Sequence, residues 1–200
     1  MLHQALALPK IYRLFLKLVD VDRGLTILFR DSIRVTAGAR VLDAGCGTSA
    51  LIEHMPGSVC YWGADKAWRY VGFGARAYRE RAKFLHCDLT QSWPFAEHSF
   101  DYVFAFGLLH HLSEAEALFV LRQARTAMRE SGLLVTVDPC RREGQGLVQK
   151  LLLGMDRGRH IRTLPQYRDL ADCAFRSVNH AMRDDLLRLP YDLLVMKCQA

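Results

Sequence analysis

An acid and two glycines at alternate positions, Asp43-Ala44-Gly45-Cys46-Gly47, follow the apolar pair Val41-Leu42. Such a run reads as a buried strand breaking into a tight turn that opens a helix. Glycine at 45 and 47 lets the backbone approach a ligand with no Cβ in the way. Asp43 narrows the choice of ligand. A turn built around a pyrophosphate would not place a carboxylate two residues ahead of its first glycine, because like charges at contact repel. An ammonium or sulfonium group would be attracted. Three further acids, Asp65, Asp88 and Asp138, follow later apolar runs. Asp65 lies twenty positions beyond Gly45, the spacing at which a carboxylate receives a ribose diol. Singly, each acid suits an N-cap or a turn; four on one rim of a sheet point to a polar ligand. His110 and His111 add imidazoles that exchange a proton near neutral pH.

Elements able to position these groups alternate along the chain. Apolar runs at 40–44, 59–64, 82–87, 100–106 and 132–137 are the expected strands. Between them lie helical stretches over 48–55 and 68–81, the pattern of a parallel sheet with crossover helices. A third helix starts at Ser113-Glu114-Ala115-Glu116, a capping box, and stops at Ser131-Gly132. Residues 144–153 and 165–174 suit two more helices. Val178, His180 and Met182 alternate as in a strand, and 191–198 is strongly apolar. Only 184–190 separate those two, so they should pair as an antiparallel hairpin. At the N-terminus Leu2, Leu6, Ile11, Leu14, Phe15 and Leu18 recur at helical spacing, interleaved with Lys10, Arg13 and Lys17. No small-residue cleavage site follows, which argues against a signal peptide.

The acid-x-Gly-x-Gly turn, the acids in register at 43, 65 and 88 and the closing hairpin resemble the class I S-adenosylmethionine-dependent methyltransferases over roughly residues 38–198. Ser49 stands where that family often has a third glycine. The resemblance implies an α/β fold with a doubly wound, mainly parallel seven-stranded sheet, helices on both faces and an antiparallel last strand. It implies one domain over 1–200, with the helices of 1–39 over the cofactor mouth and 139–165 as a substrate-side insert. The implied cofactor is S-adenosyl-L-methionine, held by Asp43, Gly45, Cys46, Gly47, Asp65, Lys66, Asp88, Leu89 and Phe106. In that scheme Asp65 takes the ribose, Asp88 the adenine amino group and the Leu89 amide a ring nitrogen, while Phe106 flanks the ligand.

On the substrate side the resemblance places His111, in a Leu-x-His run, with His110 beside it and Tyr12 and Asp138 nearby. His111 would either take a proton from an oxygen acceptor or hold its loop through the backbone. The run Asp156-Arg157-Gly158-Arg159-His160-Ile161-Arg162 resembles a subset of bacterial members found with polysaccharide or natural-product pathways. Arg157, Arg159 and Arg162 could form a guanidinium fork for a carboxylate or phosphate. Alternatively, Asp156 pairs with one of them and ties the loop down. The expected reaction is methyl transfer to a small-molecule acceptor, oxygen ahead of nitrogen, with an acidic group on the acceptor.

Composition bounds these readings. Half the 200 residues are hydrophobic and the formal charge is +6, which is globular composition. No apolar run has the length of a membrane span. Six cysteines without a Cys-x-x-Cys pair read as reduced thiols of a cytoplasmic protein, neither a disulfide frame nor a zinc site. Asp138 has no second ligand at useful spacing, so no catalytic metal is expected. The positive charge concentrates in 141–168, as a solvated face or as a site for an anion. Gly45-x-Gly47-x-x-Ala50 also fits a nicotinamide oxidoreductase, against which Asp43 and the reversed final strand speak. A nucleic-acid methyltransferase would carry a proline-rich clamp after the fourth strand, where this chain has Phe106-Gly107-Leu108-Leu109. A non-catalytic adenosylmethionine-binding subunit would share the same cofactor motifs, and the oligomeric state is left open.

Overall fold

The computed structural model describes residues 8–200; Leu2, Leu6 and the rest of 1–7 lie outside the described residues. Helices α1 (Pro9–Leu18) and α2 (Val21–Asp31) precede β1 (Arg40–Ala44), β2 (Cys60–Asp65), α3 (Trp68–Ala77), β3 (Ala82–His86) and β4 (Phe100–Phe106). Helix α4 (Glu114–Ala127), β5 (Met128–Arg141), α5 (Leu147–Met155), β6 (Arg162–Thr163), α6 (Leu164–Asp172), β7 (Ser177–Arg183) and β8 (Leu193–Gln199) complete the order. The main sheet runs β3-β2-β1-β4-β5-β8-β7. Its strands are parallel except β8, which is antiparallel to both β5 and β7. This is the doubly wound sheet with a reversed last strand. The two-residue β6, which pairs with β5 outside that order, is too short to leave a periodic trace in the sequence.

The strands alternate between two apolar layers because successive side chains point to opposite faces. Leu42, Val103 and Leu134 pack on one side with Leu121 and Ala124 of α4 and Tyr167 of α6. Their neighbours Val41, Phe104 and Val135 pack on the other with Leu25 and Leu28 of α2. Burial on both faces leaves the carboxyl ends of the strands as the open edge, where ligands of such sheets sit.

Several element boundaries differ from the sequence expectation, and the helix from Glu114 ends at Ala127 rather than at Ser131-Gly132. The helix over 48–55 is a 3-10 turn, Ala50–His54, because Ser49 takes a left-handed conformation (φ 59°) and Pro56-Gly57 follows at once. The helix from Trp68 ends at Ala77 rather than near 81. Strand β5 starts at Met128, not 132: Met128 pairs with Phe100, the chain bulges, and pairing resumes at Leu133 opposite Tyr102. The capping box is present, with Ser113 N–H donating to Glu116 at 2.8 Å.

Candidate active site

At the end of β1 the chain turns through Gly45 and Gly47, both at positive φ (78° and 49°), a region that disfavours any residue with a Cβ. Gly45 N–H and Cys46 N–H donate to Ala64 O of the neighbouring strand. Asp65, at the end of β2, accepts from Gly47 N–H (3.0 Å) and Ala67 N–H (2.7 Å). One carboxylate therefore clamps the glycine turn to the start of α3. Burial raises its pKa despite those two bonds. Asp43 is buried beneath the turn and accepts from the Tyr61 hydroxyl. Desolvation pushes its carboxyl up to about 7 against that hydrogen bond.

The loop after β4 is built differently. Its short 3-10 turn, Leu109–His111, is held from beneath by Asp138, within β5. Asp138 Oδ1 accepts from His110 N–H (3.1 Å) and lies 2.8 Å from His110 Nδ1. Asp156 approaches the other ring nitrogen, His110 Nε2, at 3.4 Å. Burial pulls the His110 pKa down, but its two carboxylate partners outweigh that and raise it to about 9. His110 is thus an imidazolium between two acids at neutral pH. The His111 ring lies tilted against it at the solvent edge, with centroids 4.0 Å apart. Burial and the neighbouring positive charge both lower the His111 pKa, so its ring is neutral.

The segment after α5 is sewn onto this loop. Asp156 Oδ2 accepts from Tyr191 OH (2.6 Å), and Asp156 Oδ1 from Gly158 N–H (2.6 Å). His160 N–H donates to His110 O at 2.9 Å. Gly158 leaves no room for a side chain, since a Cβ there would sit 2.0 Å from His110 Cδ2. The glycine turn and the histidine loop open into one cleft of about 420 Å³, lined mostly by apolar side chains. Leu25 and Leu28 of α2, Leu152 and Met155 of α5, and Leu186, Leu187 and Leu189 of the β7–β8 connector supply much of its wall.

Comparison with known proteins now decides the class. Residues 41–132 match the family model described as a methyltransferase domain. The chain carries a methyltransferase domain. Its cofactor is S-adenosyl-L-methionine. The fold superposes on the pyocyanin biosynthetic protein PhzM with a TM-score of 0.73 at 19% identity, over 94% of this chain and 58% of that one. For a SAM-dependent methyltransferase from Aquifex aeolicus the values are 0.66, 14% and 92% of both chains. The [4+2]-cyclase SpnF gives 0.71 at 16%, over 86% of this chain and 78% of that one. These likenesses are of fold, and the cyclase shows that the fold hosts more than one chemistry. No curated protein matches the chain by sequence.

In this methyltransferase domain the sequence-expected residues fall into distinct groups. Asp43, Gly45, Cys46, Gly47, Phe106, His110, His111, Tyr12 and Arg157 all line the cleft. Asp65, Lys66, Asp88 and Leu89 lie outside its lining; Asp88 is exposed and accepts from Thr90 N–H and Oγ1, which lowers its pKa. Tyr12 packs 5.4 Å from the Tyr70 ring, and the Arg157 guanidinium lies 5.5 Å from the Tyr12 centroid.

Three expectations are corrected. Arg162 is buried and donates to Leu109 O (2.9 Å), Leu112 O (2.7 Å) and His160 O (3.1 Å). It ties the carbonyls of the short turn to that of His160 and is no part of an anion fork. Asp138 is 2% exposed and sits behind His110 rather than facing an acceptor. Asp156 pairs with His110 and Tyr191, not with an arginine. Sequence reading missed Tyr61, Tyr191 and the leucines of 186–189. Those leucines carried a signal, since a connector of nine residues between paired strands needs no apolar cluster to turn.

Proposed function

We propose that this methyltransferase transfers a methyl group from S-adenosyl-L-methionine to an oxygen of a small-molecule acceptor seated in the apolar cleft. The observation that carries the reading is continuity: the Gly45–Gly47 turn and the neutral His111 face the same enclosed space. The residues fit the cofactor. Thr48 Oγ1 is buried beside the glycines with no hydrogen-bond partner among the described residues, and such an atom calls for a polar ligand group. Asp43 beneath the turn favours a cationic ligand once ionised. Each Asp65 oxygen keeps a free lone pair for a ribose hydroxyl. The cofactor supplies an electrophilic methyl group.

The chain contributes alignment and exclusion of water. His111 accepts a hydrogen bond from the acceptor hydroxyl and orients its lone pair. Being weakly basic, it adds direction more than driving force, and the hydroxyl proton passes to solvent at its exposed edge. His110, already protonated, cannot take that proton; it fixes the loop that carries His111. Arg157 at the rim suits an acidic group on the acceptor. The test is incubation with labelled S-adenosyl-L-methionine and a host extract, followed by mass spectrometry. The expected product is a labelled low-molecular-weight ether or ester; label found only in RNA or protein would overturn the reading.

A further inference from the structure

Helices α1 and α5 flank the mouth of the cleft, since Phe15 and Leu16 of one and Leu152 and Met155 of the other line it together. Each turns a second apolar stripe outward. On α1, Leu14 and Leu18 are 68% and 70% exposed; on α5, Leu147 and Leu151 are 85% and 64% exposed. Their spacings of four place each set on one helical face. Leucines do not stay in water without cost, and a patch of this kind beside an apolar opening marks a contact surface.

Charge selects the occupant. The sequences Pro9–Leu18 and Leu147–Met155 contain no acid, and exposed Lys10, Lys17 and Lys150 border the two stripes. At 100° per residue each of these lysines lies on the same side of its stripe. Across a two-fold contact a second copy of the chain would offer these lysines no acid from either helix, so their charge would go unpaired. An anionic bilayer surface satisfies both features at once: it takes the apolar stripes into its interface and pairs the lysines with phosphates.

We propose that this face docks on an anionic lipid surface, with the cleft mouth turned toward the bilayer. The inference builds on the proposed methyl transfer only for its consequence, that the acceptor carries an apolar chain drawn from the membrane. Docking itself needs neither cofactor nor turnover.

Flotation of the full chain with vesicles tests it, one set of pure phosphatidylcholine and one containing phosphatidylglycerol. Binding to the anionic vesicles should exceed binding to the neutral ones and weaken with salt. Each lysine near an anionic leaflet contributes about fivefold in affinity, so the triple variant Lys10→Gln, Lys17→Gln, Lys150→Gln should bind roughly a hundredfold more weakly. The exposed-site variants Leu14→Asp and Leu151→Asp should also fail to float while still binding S-adenosyl-L-methionine, which reports an intact fold. Equal, salt-independent binding to both vesicle types would overturn the proposal, as would no binding at low salt. Sedimentation showing a dimer that Leu14→Asp dissolves, with vesicles ignored, would assign the face to a second copy instead. A chain that floats but transfers no methyl group would leave docking standing and remove the proposed reaction.

Discussion

The two halves of the site are held together by opposite means. On the cofactor side, over 43–67, the chain is fixed by its own backbone: glycines at positive φ, amides paired with Ala64 O, and one carboxylate, Asp65, accepting two N–H groups. On the acceptor side, over 107–112 and 156–162, the loops are fixed by charged side chains, with His110 between Asp138 and Asp156 and Arg162 on carbonyls fifty and more positions away. Local geometry builds the first half and long-range pairing builds the second. Under the proposed function, that difference divides cofactor binding from the choice of acceptor.

Removing Asp138 should break that contrast most visibly. Asp138→Ala leaves a buried imidazolium without its nearer partner, and losing one member of a buried pair costs about 3–5 kcal/mol. Chemical denaturation should show that loss, while calorimetry should find cofactor affinity nearly unchanged. If affinity falls as far as stability, the two halves are not separable. Asp65→Ala is the converse. Losing hydrogen bonds to a charged acceptor should weaken cofactor binding by about 1.5–3 kcal/mol, read by titration with the demethylated product. Unchanged affinity would place the ribose elsewhere.

Acidity offers a subtler division. His110 has its pKa raised to about 9, above an unfolded value near 6.5. Its stabilisation is therefore fully present below about pH 6.5 and is lost as pH rises through about 9. Denaturation midpoints in that window should decline, and Asp138→Ala should flatten the decline. Asp43 governs affinity instead. Burial raises it to about 7, and a cationic ligand needs the carboxylate. Affinity for S-adenosyl-L-methionine should rise with pH through about 7, by up to about tenfold per unit below it. Asp43→Asn should abolish that slope. The smallest effect belongs to Arg159, which is exposed. Arg159→Ala should change stability by less than about 0.5 kcal/mol and leave KM alone. A raised KM with normal stability would bring Arg159 into acceptor binding beside Arg157.

Legibility follows the same division. The turn at 43–47, the capping box at Ser113 and the closing hairpin were readable because each rests on spacing within a few residues. Backbone rules act at that range: glycine for positive φ, serine for an orphan amide, a short connector for antiparallel strands. On the acceptor side the sequence offers two adjacent histidines, Tyr12, Asp138 and a cluster of arginines with one acid among them, without their pairing. Sequence could not say that Arg162 turns inward to carbonyls, that Asp156 meets His110 and Tyr191, or that two adjacent histidines hold opposite protonation states. Those outcomes depend on burial and on partners up to 53 positions apart.

By itself, then, the chain's order of residues determined the alternating elements, the rim of acids and the glycine turn, since these follow from periodicity and local sterics. Tertiary structure alone decided which histidine is charged, which arginine is structural and where the apolar wall of the cleft comes from. The physical reason is desolvation. A charge removed from water keeps only the partners that folding brings within hydrogen-bond reach, and no local spacing encodes that company.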